Sequence, residues 1–154
     1  MGLTFTGPIA GTLTEVNVPS RPSEGSPVCA GTISSDPAGA NYLFVGTVGA
    51  DEPSVSFAIH RTAAPGSYPI GPYPDGTATA PAVVNVLVYR AGIASWNATA
   101  GTLVIDPGGR SGTLSADLEF AGWRRLPAGG ASPPPTAGLP AIHLQGTWVC
   151  PVGS

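Results

Sequence analysis

The chain has 154 residues, of which 42% are hydrophobic and only 10% charged, and its formal net charge is −3 at pH 7. All six basic residues are arginines, and without lysine the chain can form no Walker A phosphate loop, Schiff base or Ser–Lys nucleophile pair. The acidic balance also lacks the basic patch that nucleic acid requires, so no nucleic-acid partner is expected. The length suits one domain with its own core, and residues 1–154 are therefore predicted to be a single domain.

The N-terminal part of the chain reads as short strands separated by glycine and proline. The first strand pair is predicted from Leu3 to Val18, with a break at Gly7-Pro8. Val28 to Ser34 is predicted to be a strand that carries Cys29, and Asp36 to Gly39 is predicted to be a turn. The 22 glycines and 18 prolines lie between such patterned runs, which indicates an ordered β chain rather than a disordered one.

The middle of the chain contains the most apolar strands. Asn41 to Val48 has apolar residues on both faces, which is typical of a central strand. Ser54 to Arg61 alternates between apolar and polar residues, and its inward side chains are predicted to be Val55, Phe57 and Ile59. Pro65 to Gly76 contains four prolines, so it is predicted to be an edge strand or a structured loop and not a central strand. Ala82 to Arg90 is predicted to be a buried strand.

The C-terminal part reads as long alternating strands. In a regular strand Trp96 and Leu103 would face opposite sides of the sheet, because an odd number of positions separates them. A bulge is therefore predicted near Ala100-Gly101. Two later runs alternate in the same way, and their inward residues are predicted to be Leu114, Ala116, Leu118 and Phe120 in one, and Ile142, Leu144, Trp148 and Cys150 in the other. Residues 126–140 between them form a Pro/Gly-rich loop that is predicted to be partly polyproline II.

A Gly-Thr-apolar triplet occurs six times at irregular spacing, which indicates recurring strand chemistry rather than a solenoid repeat. The triplets begin at Gly11, Gly31, Gly46, Gly101, Gly112 and Gly146. No stretch has a sustained helical period. The fold is therefore predicted to be all-β, an antiparallel β-sandwich or squat β-barrel of about 8 to 10 strands with almost no helix.

Cys29 and Cys150 are the only cysteines of the chain. An even pair in a Gly/Thr-rich β chain favours a disulfide and an oxidising compartment, although two small buried side chains are the alternative. The first residues have no basic and apolar signal-peptide regions, so either a leader has been removed or the protein does not use one. No run reaches the roughly 18 apolar residues of a transmembrane segment. An extracytoplasmic or secreted location is expected, with a virion or extracellular assembly as the alternative.

Catalytic and metal sites are not favoured by the pattern of histidines. His60 and His143 are the only histidines, both are predicted on the solvent faces of strands, and no Gly-x-Ser-x-Gly elbow accompanies them. A zinc site made of both cysteines and both histidines is disfavoured, because His143 and Cys150 point to opposite faces of one strand.

Paired carboxylates for glycoside cleavage are available only at Asp117 with Glu119 and at Asp51 with Glu52. The first pair is interpreted as the solvated face of a strand and the second as a turn. The chain is therefore predicted not to be an enzyme and to have no metal and no cofactor.

Aromatic residues are better candidates for a surface site. Tyr68, Tyr73 and Trp123 lie in or beside Pro/Gly-rich segments, where exposed rings can stack on sugars or anchor a protein partner. Packing of the same rings against the core is the alternative. Arg124 is a candidate contact for an anionic partner, with capping of a strand end as the alternative. Asn97-Ala98-Thr99 matches the glycosylation sequon within a predicted strand.

The C-terminal third contains Trp96, 101–105 (GTLVI), 111–114 (SGTL) and 142–150 (IHLQGTWVC), which together are similar to an ending of SGTL, polar turn, SGTL and GxWxC. By these residues it resembles a group of small secreted or lipid-anchored β domains of bacteria. The resemblance implies an extracytoplasmic binding or structural role and supplies no catalytic residues.

Three functional hypotheses follow from these observations. The first is a non-enzymatic extracytoplasmic β-sandwich domain, a binding or structural module whose partner is a protein or a glycan at its surface. The second is a self-assembling structural subunit, such as a virion decoration or filament protein, which the low charge would suit. The third is a carbohydrate-binding module that uses Tyr68, Tyr73 and Trp123.

Overall fold

The computed structural model describes residues 2–13, 31–33, 36–49, 52–60, 64–72, 80–89, 92–125 and 138–150. These residues form ten strands and contain no helix. The strands are β1 (Gly2–Thr6), β2 (Gly11–Leu13), β3 (Gly31–Ile33), β4 (Asp36–Val45), β5 (Glu52–Ile59), β6 (Gly66–Ile70), β7 (Ala82–Tyr89), β8 (Gly92–Ile105), β9 (Ser111–Arg125) and β10 (Ile142–Val149). The all-β prediction is confirmed.

The strands form one sheet in the order β2-β1-β10-β9-β8-β6-β7-β5-β4-β3. Neighbours are antiparallel except for one parallel contact between Ile70 of β6 and Ala82 of β7. The sheet curls strongly into a half-barrel. Its two ends approach each other: Gly11 of β2 lies beside Val48, which follows β4 in the chain. A Cβ atom added to Gly11 would be only 2.7 Å from Val48 Cγ1. The architecture is therefore one curled sheet and not two separate layers.

Four aromatic rings fill the interior and join the two halves of this sheet. Tyr42 and Phe44 of β4 and Phe57 of β5 pack against Trp148 of β10, which lies far from them in the strand order. Tyr42 stacks on Phe57 with ring centroids 4.9 Å apart and meets Trp148 at 4.8 Å. All four side chains are at most 1% exposed. Curling of the sheet thus gives the large aromatic residues a shared core.

A bulge in β8 places Trp96 and Leu103 on the same side of the sheet. The register between β8 and β9 shifts between Ala98 and Ala100, which makes Thr99 the extra residue. Trp96 and Leu103 are accordingly only 2% and 0% exposed. The bulge predicted near Ala100-Gly101 is confirmed within one residue.

The prediction of a turn at Asp36 to Gly39 is wrong, because these residues form the first part of β4. β3 pairs with β4 from Gly31 opposite Asn41 to Ile33 opposite Asp36, and the register shifts between Thr32 and Ile33. Asp36 is thus paired, while residues 37–39 lie in the irregular part of the ladder, where a β-bulge accommodates the Pro-Ala-Gly sequence.

The proline-containing segment from Pro65 lies further inside the sheet than predicted. β6 stands between β8 and β7 in the strand order, although it had been expected at an edge or in a loop. It pairs over five residues with β8, including Pro69 opposite Thr102, and with β7 only at Ile70. Proline is tolerated here because one side of β6 has almost no ladder hydrogen bonds to lose.

Most of the remaining strand predictions agree with the structure. The inward residues predicted for β5, β9 and β10 are buried, with Phe120 partly buried, and β7 occupies nearly the whole run predicted as a buried strand. The loop predicted at 126–140 falls outside the described residues except for 138–140, which have no regular secondary structure. None of the described residues belongs to a helix long and apolar enough to cross a membrane.

Candidate functional site

The outer face of β1, β10, β9 and β8 is polar and nearly uncharged. Strand register aligns its side chains in rows, and one row crosses five strands through Thr12, Thr4, Gln145, Ser115 and Thr102. The hydroxyls of Thr4 and Thr12 are hydrogen-bonded at 3.0 Å. The triplets found in the sequence contribute to this regularity. In those that begin at Gly11, Gly101, Gly112 and Gly146, the threonine is exposed and the apolar residue after it is buried.

One end of this face carries a histidine and a carboxylate in direct contact. His143 of β10 lies opposite Asp117 of β9 on one side and Thr6 of β1 on the other. The His143 Nδ1 and Asp117 Oδ1 atoms are 2.7 Å apart, and the two side chains are 35% and 70% exposed. Their outward orientation agrees with the alternation predicted for both strands. The contact between them comes from the register of β9 with β10.

An open pocket of about 420 Å³ surrounds this pair. The bulge residue Thr99 borders it and donates its hydroxyl to the Asp117 carbonyl oxygen at 3.4 Å. The other polar side chains that line the pocket are Thr6, Glu119 and His143. Four neighbouring strands therefore contribute carboxylate, hydroxyl and imidazole groups to one shallow site.

The hydrogen bond to Asp117 defines the chemistry that His143 can offer. An ionised carboxylate only accepts, so the Nδ1 atom of His143 is the donor and, in the neutral ring, Nε2 is left as an acceptor. Within the described residues, no serine, threonine or cysteine side chain hydrogen-bonds His143. The site thus presents both donors and acceptors to solvent, an arrangement suited to recognising a polar ligand.

The structure describes the side chains of two of the four residues predicted as surface contacts, Tyr68 and Trp123. Tyr68 is 9% exposed, packs in the core and donates its hydroxyl to the Ala64 carbonyl oxygen, so its ring adopts the alternative of packing against the core. Trp123 is half-buried and packs against the core. Arg124 lies in β9 opposite Ile93. Tyr73 lies outside the described residues.

The structure describes one of the two cysteines of the predicted disulfide. Cys150 is 5% exposed, and the described residues contain no free cysteine. Its backbone N–H donates to the Arg110 carbonyl oxygen at 2.8 Å, at the turn between β8 and β9. Cys29 lies outside the described residues, so the bridge between Cys29 and Cys150 stays a prediction.

Sequence reasoning placed His143 and Asp117 on outer faces but did not bring them together, and it missed Thr6 and Thr99. A short hairpin would have fixed the register of β9 with β10, but here residues 126–141 connect the two strands. The sequence did contain one signal for this site. His143, Asp117 and Glu119 all occupy polar, outward-facing positions, and they lie in two strands that follow each other in the chain.

In the described part of the chain, no group of three or more His, Cys, Asp or Glu side chains is placed to hold a metal ion.

Comparisons of the chain with protein families, curated proteins and solved structures found no significant match. The resemblance of the C-terminal third to small bacterial β domains therefore stays a prediction.

Proposed function

We propose that this chain is a non-enzymatic, extracytoplasmic binding module whose ligand site is the pocket around His143 and Asp117. The observation that carries the proposal is the 2.7 Å contact between these side chains inside an open pocket of about 420 Å³. Ligand pockets in proteins commonly measure about 300–1,000 Å³, so this volume suits a small molecule or one sugar residue of a glycan.

A hydroxyl-rich ligand, and thus a carbohydrate, fits the groups of the pocket best. Asp117 and Glu119 accept hydrogen bonds, and the hydroxyls of Thr6 and Thr99 can both donate and accept. Sugar hydroxyls need this mixture of partners. Because the pocket is open, a bound sugar residue keeps part of its hydration, and Kd is expected on the order of 1 mM.

The exposure of the site supports binding rather than catalysis. Asp117 is 70% exposed, and the pocket opens on the outer face of the sheet instead of a closed cleft. Electrostatic stabilisation of a transition state is strongest where water is excluded, which this position does not provide.

Nuclear magnetic resonance of isotope-labelled histidine tests the proposal, because the chain has only two histidines. Titration with neutral mono- and oligosaccharides up to about 20 mM, well above the expected Kd, should shift the His143 ring signal and leave His60 unchanged. Asp117→Asn should abolish the shift, whereas Ser115→Ala, on the same face of β9, should preserve it. An unchanged His143 signal across the whole panel would reject the carbohydrate ligand.

Self-assembly is the second candidate function, and the outer face of the sheet supports it. Rows of Thr and Ser side chains cover this face with few charges, and Val149 at the end of β10 is 48% exposed. Charged residues commonly prevent association between sheets, so a charge-poor face leaves contact between copies open. The mass of the particle in solution separates this function from that of a discrete binding module.

The extracytoplasmic location depends on the Cys29–Cys150 disulfide, which we include in the proposal. Burial of Cys150 and the absence of a free cysteine in the described residues support the bridge. Such bridges persist mainly in oxidising compartments.

A further inference from the structure

The pocket around His143 and Asp117 is lined by two carboxylates, and no arginine is among the described residues that line it. Asp117 and Glu119 occupy alternate positions on the outer face of β9, so their Cα atoms are about 7 Å apart. Among the described lining residues, His143 is the one whose side chain can carry a positive charge. The charge that a ligand meets therefore depends on how these three groups are partnered.

The two carboxylates differ in their partners. Asp117 accepts a hydrogen bond from His143 Nδ1 at 2.7 Å. Glu119 is exposed and has no hydrogen bond or ion pair in the described part of the chain. Its cross-strand neighbour Asn97 is neutral, and the Oδ1 of that amide already accepts from Asn85 Nδ2. The negative charge of Glu119 is thus left uncompensated at the wall of the pocket.

We propose that this pocket selects amino sugars, in which a protonated amine replaces one ring hydroxyl. This preference rests on the carbohydrate-binding function proposed above and adds a charge to its ligand. The ammonium group donates to the Glu119 carboxylate in a charge-assisted hydrogen bond. The remaining sugar hydroxyls bind Asp117 and the hydroxyls of Thr6 and Thr99.

The preference for an amine should be modest, because the site is exposed. Ion pairs between exposed groups contribute little, so an amino sugar should bind about fivefold more tightly than the matching neutral sugar. Asp117 lies within about one Debye length of the same ammonium group and adds to the attraction. Added salt should therefore weaken binding of the amino sugar and leave binding of neutral sugars unchanged.

The test is a titration of the full chain at about pH 7, where an amine is largely protonated, followed by the His143 ring signal in nuclear magnetic resonance. Glucosamine should bind about fivefold more tightly than glucose and N-acetylglucosamine, which place a hydroxyl and a neutral amide at the same ring position. Ethylammonium, which has the charge without the sugar hydroxyls, should bind at least about fivefold more weakly than glucosamine.

Two variants locate the charge that is responsible. Glu119→Gln should lower the affinity for glucosamine about fivefold and change that for glucose less than about twofold. Asp106→Asn removes the same charge in the turn before β9, roughly 25 Å from Glu119 along the strand, and should change neither affinity.

The outcomes separate this preference from the carbohydrate function itself. Equal affinities for glucosamine and both neutral sugars would overturn the preference and leave the carbohydrate function standing, whereas no His143 shift with any sugar would overturn both. Ethylammonium binding as tightly as glucosamine would overturn recognition of a sugar. Equal losses in Glu119→Gln and Asp106→Asn would overturn the role of Glu119.

Discussion

Two glycines inside strands show what the repeated Gly-Thr-apolar triplet does. Gly101 and Gly146 have φ angles of +146° and +147°, which side chains rarely adopt. A Cβ atom would lie 2.2 Å from the Ser115 carbonyl oxygen in the first case and 1.9 Å from that of Gly2 in the second. Each glycine lets a neighbouring backbone come close. The triplet therefore combines a close strand contact with one outward and one inward side chain.

Replacing Gly146 by alanine is expected to destabilise the fold by about 3 kcal/mol or more, because strain in φ adds to a backbone clash. Gly122→Ala in β9 is the matched control, since nothing lies within 4 Å of its added Cβ atom. That change should alter stability by less than about 1 kcal/mol. Urea unfolding measures both, and equal effects of the two changes would refute the close-approach explanation.

Tyr42 is a buried titratable group whose phenol links stability to pH at high pH. Burial raises the pKa of its phenol above the ordinary value of 10.0, and the neighbouring Tyr68 raises it further. The folded state therefore holds the Tyr42 proton more tightly than the unfolded state does. The stability that depends on the neutral phenol is complete below pH 10 and is lost as pH rises through the higher pKa of the folded state.

Tyr42→Phe should lower the free energy of unfolding by about 1 kcal/mol at pH 7, because the hydroxyl donates to the Gly109 carbonyl oxygen at 3.1 Å. Between about pH 9 and 11 the variant should then lose less stability than the unmodified protein, since it cannot ionise at this position. Urea unfolding at each pH gives both values. Identical losses in the two proteins would contradict a raised pKa at Tyr42.

At the scale of elements, β7 and β8 are joined by a buried amide as well as by their ladder. Asn85 is 7% exposed, and its Nδ2 donates to the Trp96 carbonyl oxygen at 3.1 Å and to Asn97 Oδ1 at 2.8 Å. The register of β8 with β9 shifts between Ser95 and Trp96, which leaves Ala121 of β9 as the extra residue, so the amide lies beside an irregular part of the β8–β9 ladder.

Asn85→Ala should cost about 2 kcal/mol, because it removes both hydrogen bonds, one of them buried. Asn97→Ala removes one of them and should cost less than about 1 kcal/mol. Thermal unfolding of the two variants measures the difference. A larger loss for Asn97→Ala would mean that the Trp96 carbonyl does not depend on Asn85.

Alternation along the chain predicted the elements whose burial is one-sided. In β9 and β10 the inward residues, such as Leu114 and Trp148, could be predicted from the alternation of apolar and polar residues. One face of each strand meets the core and the other meets water. β4 and β6 could not be predicted as well. The Asp-Pro-Ala-Gly sequence of β4 and Pro69 of β6 are typical of turns and loops. The register shift in β4 and the pairing of β6 with β8 depend on neighbouring strands and cannot be predicted from these residues alone.

The same reasoning explains how much of the candidate site could be predicted. The outward orientation of the His143 and Asp117 side chains follows from the alternation of polar and apolar residues in each strand. Their contact depends on the register between two strands joined by a long connection. The position of Thr99 depends on a bulge whose presence, but not its function, could be inferred from Trp96 and Leu103. Burial of Tyr68 depends on β6 pairing with β8, which its prolines argued against.

For the whole molecule, the decisive feature is that Trp148 joins both halves of the curled sheet. Its ring is fully buried, and its Nε1 has no hydrogen-bond partner within the described residues. The ring meets Phe57 edge to face, with centroids 5.3 Å apart and planes at 62°.

The predicted Cys29–Cys150 disulfide would act on the stability of the whole chain. It would close a loop of about 120 residues, and the chain-entropy model gives a contribution of about 4 to 5 kcal/mol. Reductant should therefore lower the midpoint of thermal unfolding by about 10 °C. The double variant Cys29→Ala/Cys150→Ala should unfold at the lower temperature whether or not reductant is present. Two reactive thiols in the unreduced, denatured protein would show that no bridge forms.

Light scattering coupled to size-exclusion chromatography, with and without reductant, tests most directly whether the molecule is a discrete module or a subunit of an assembly. The binding function predicts the mass of a single 154-residue chain in both conditions, with a larger apparent size only after reduction. Large particles that persist in reductant would contradict it, and the charge-poor outer face of β1, β10, β9 and β8 would then be an interface between copies.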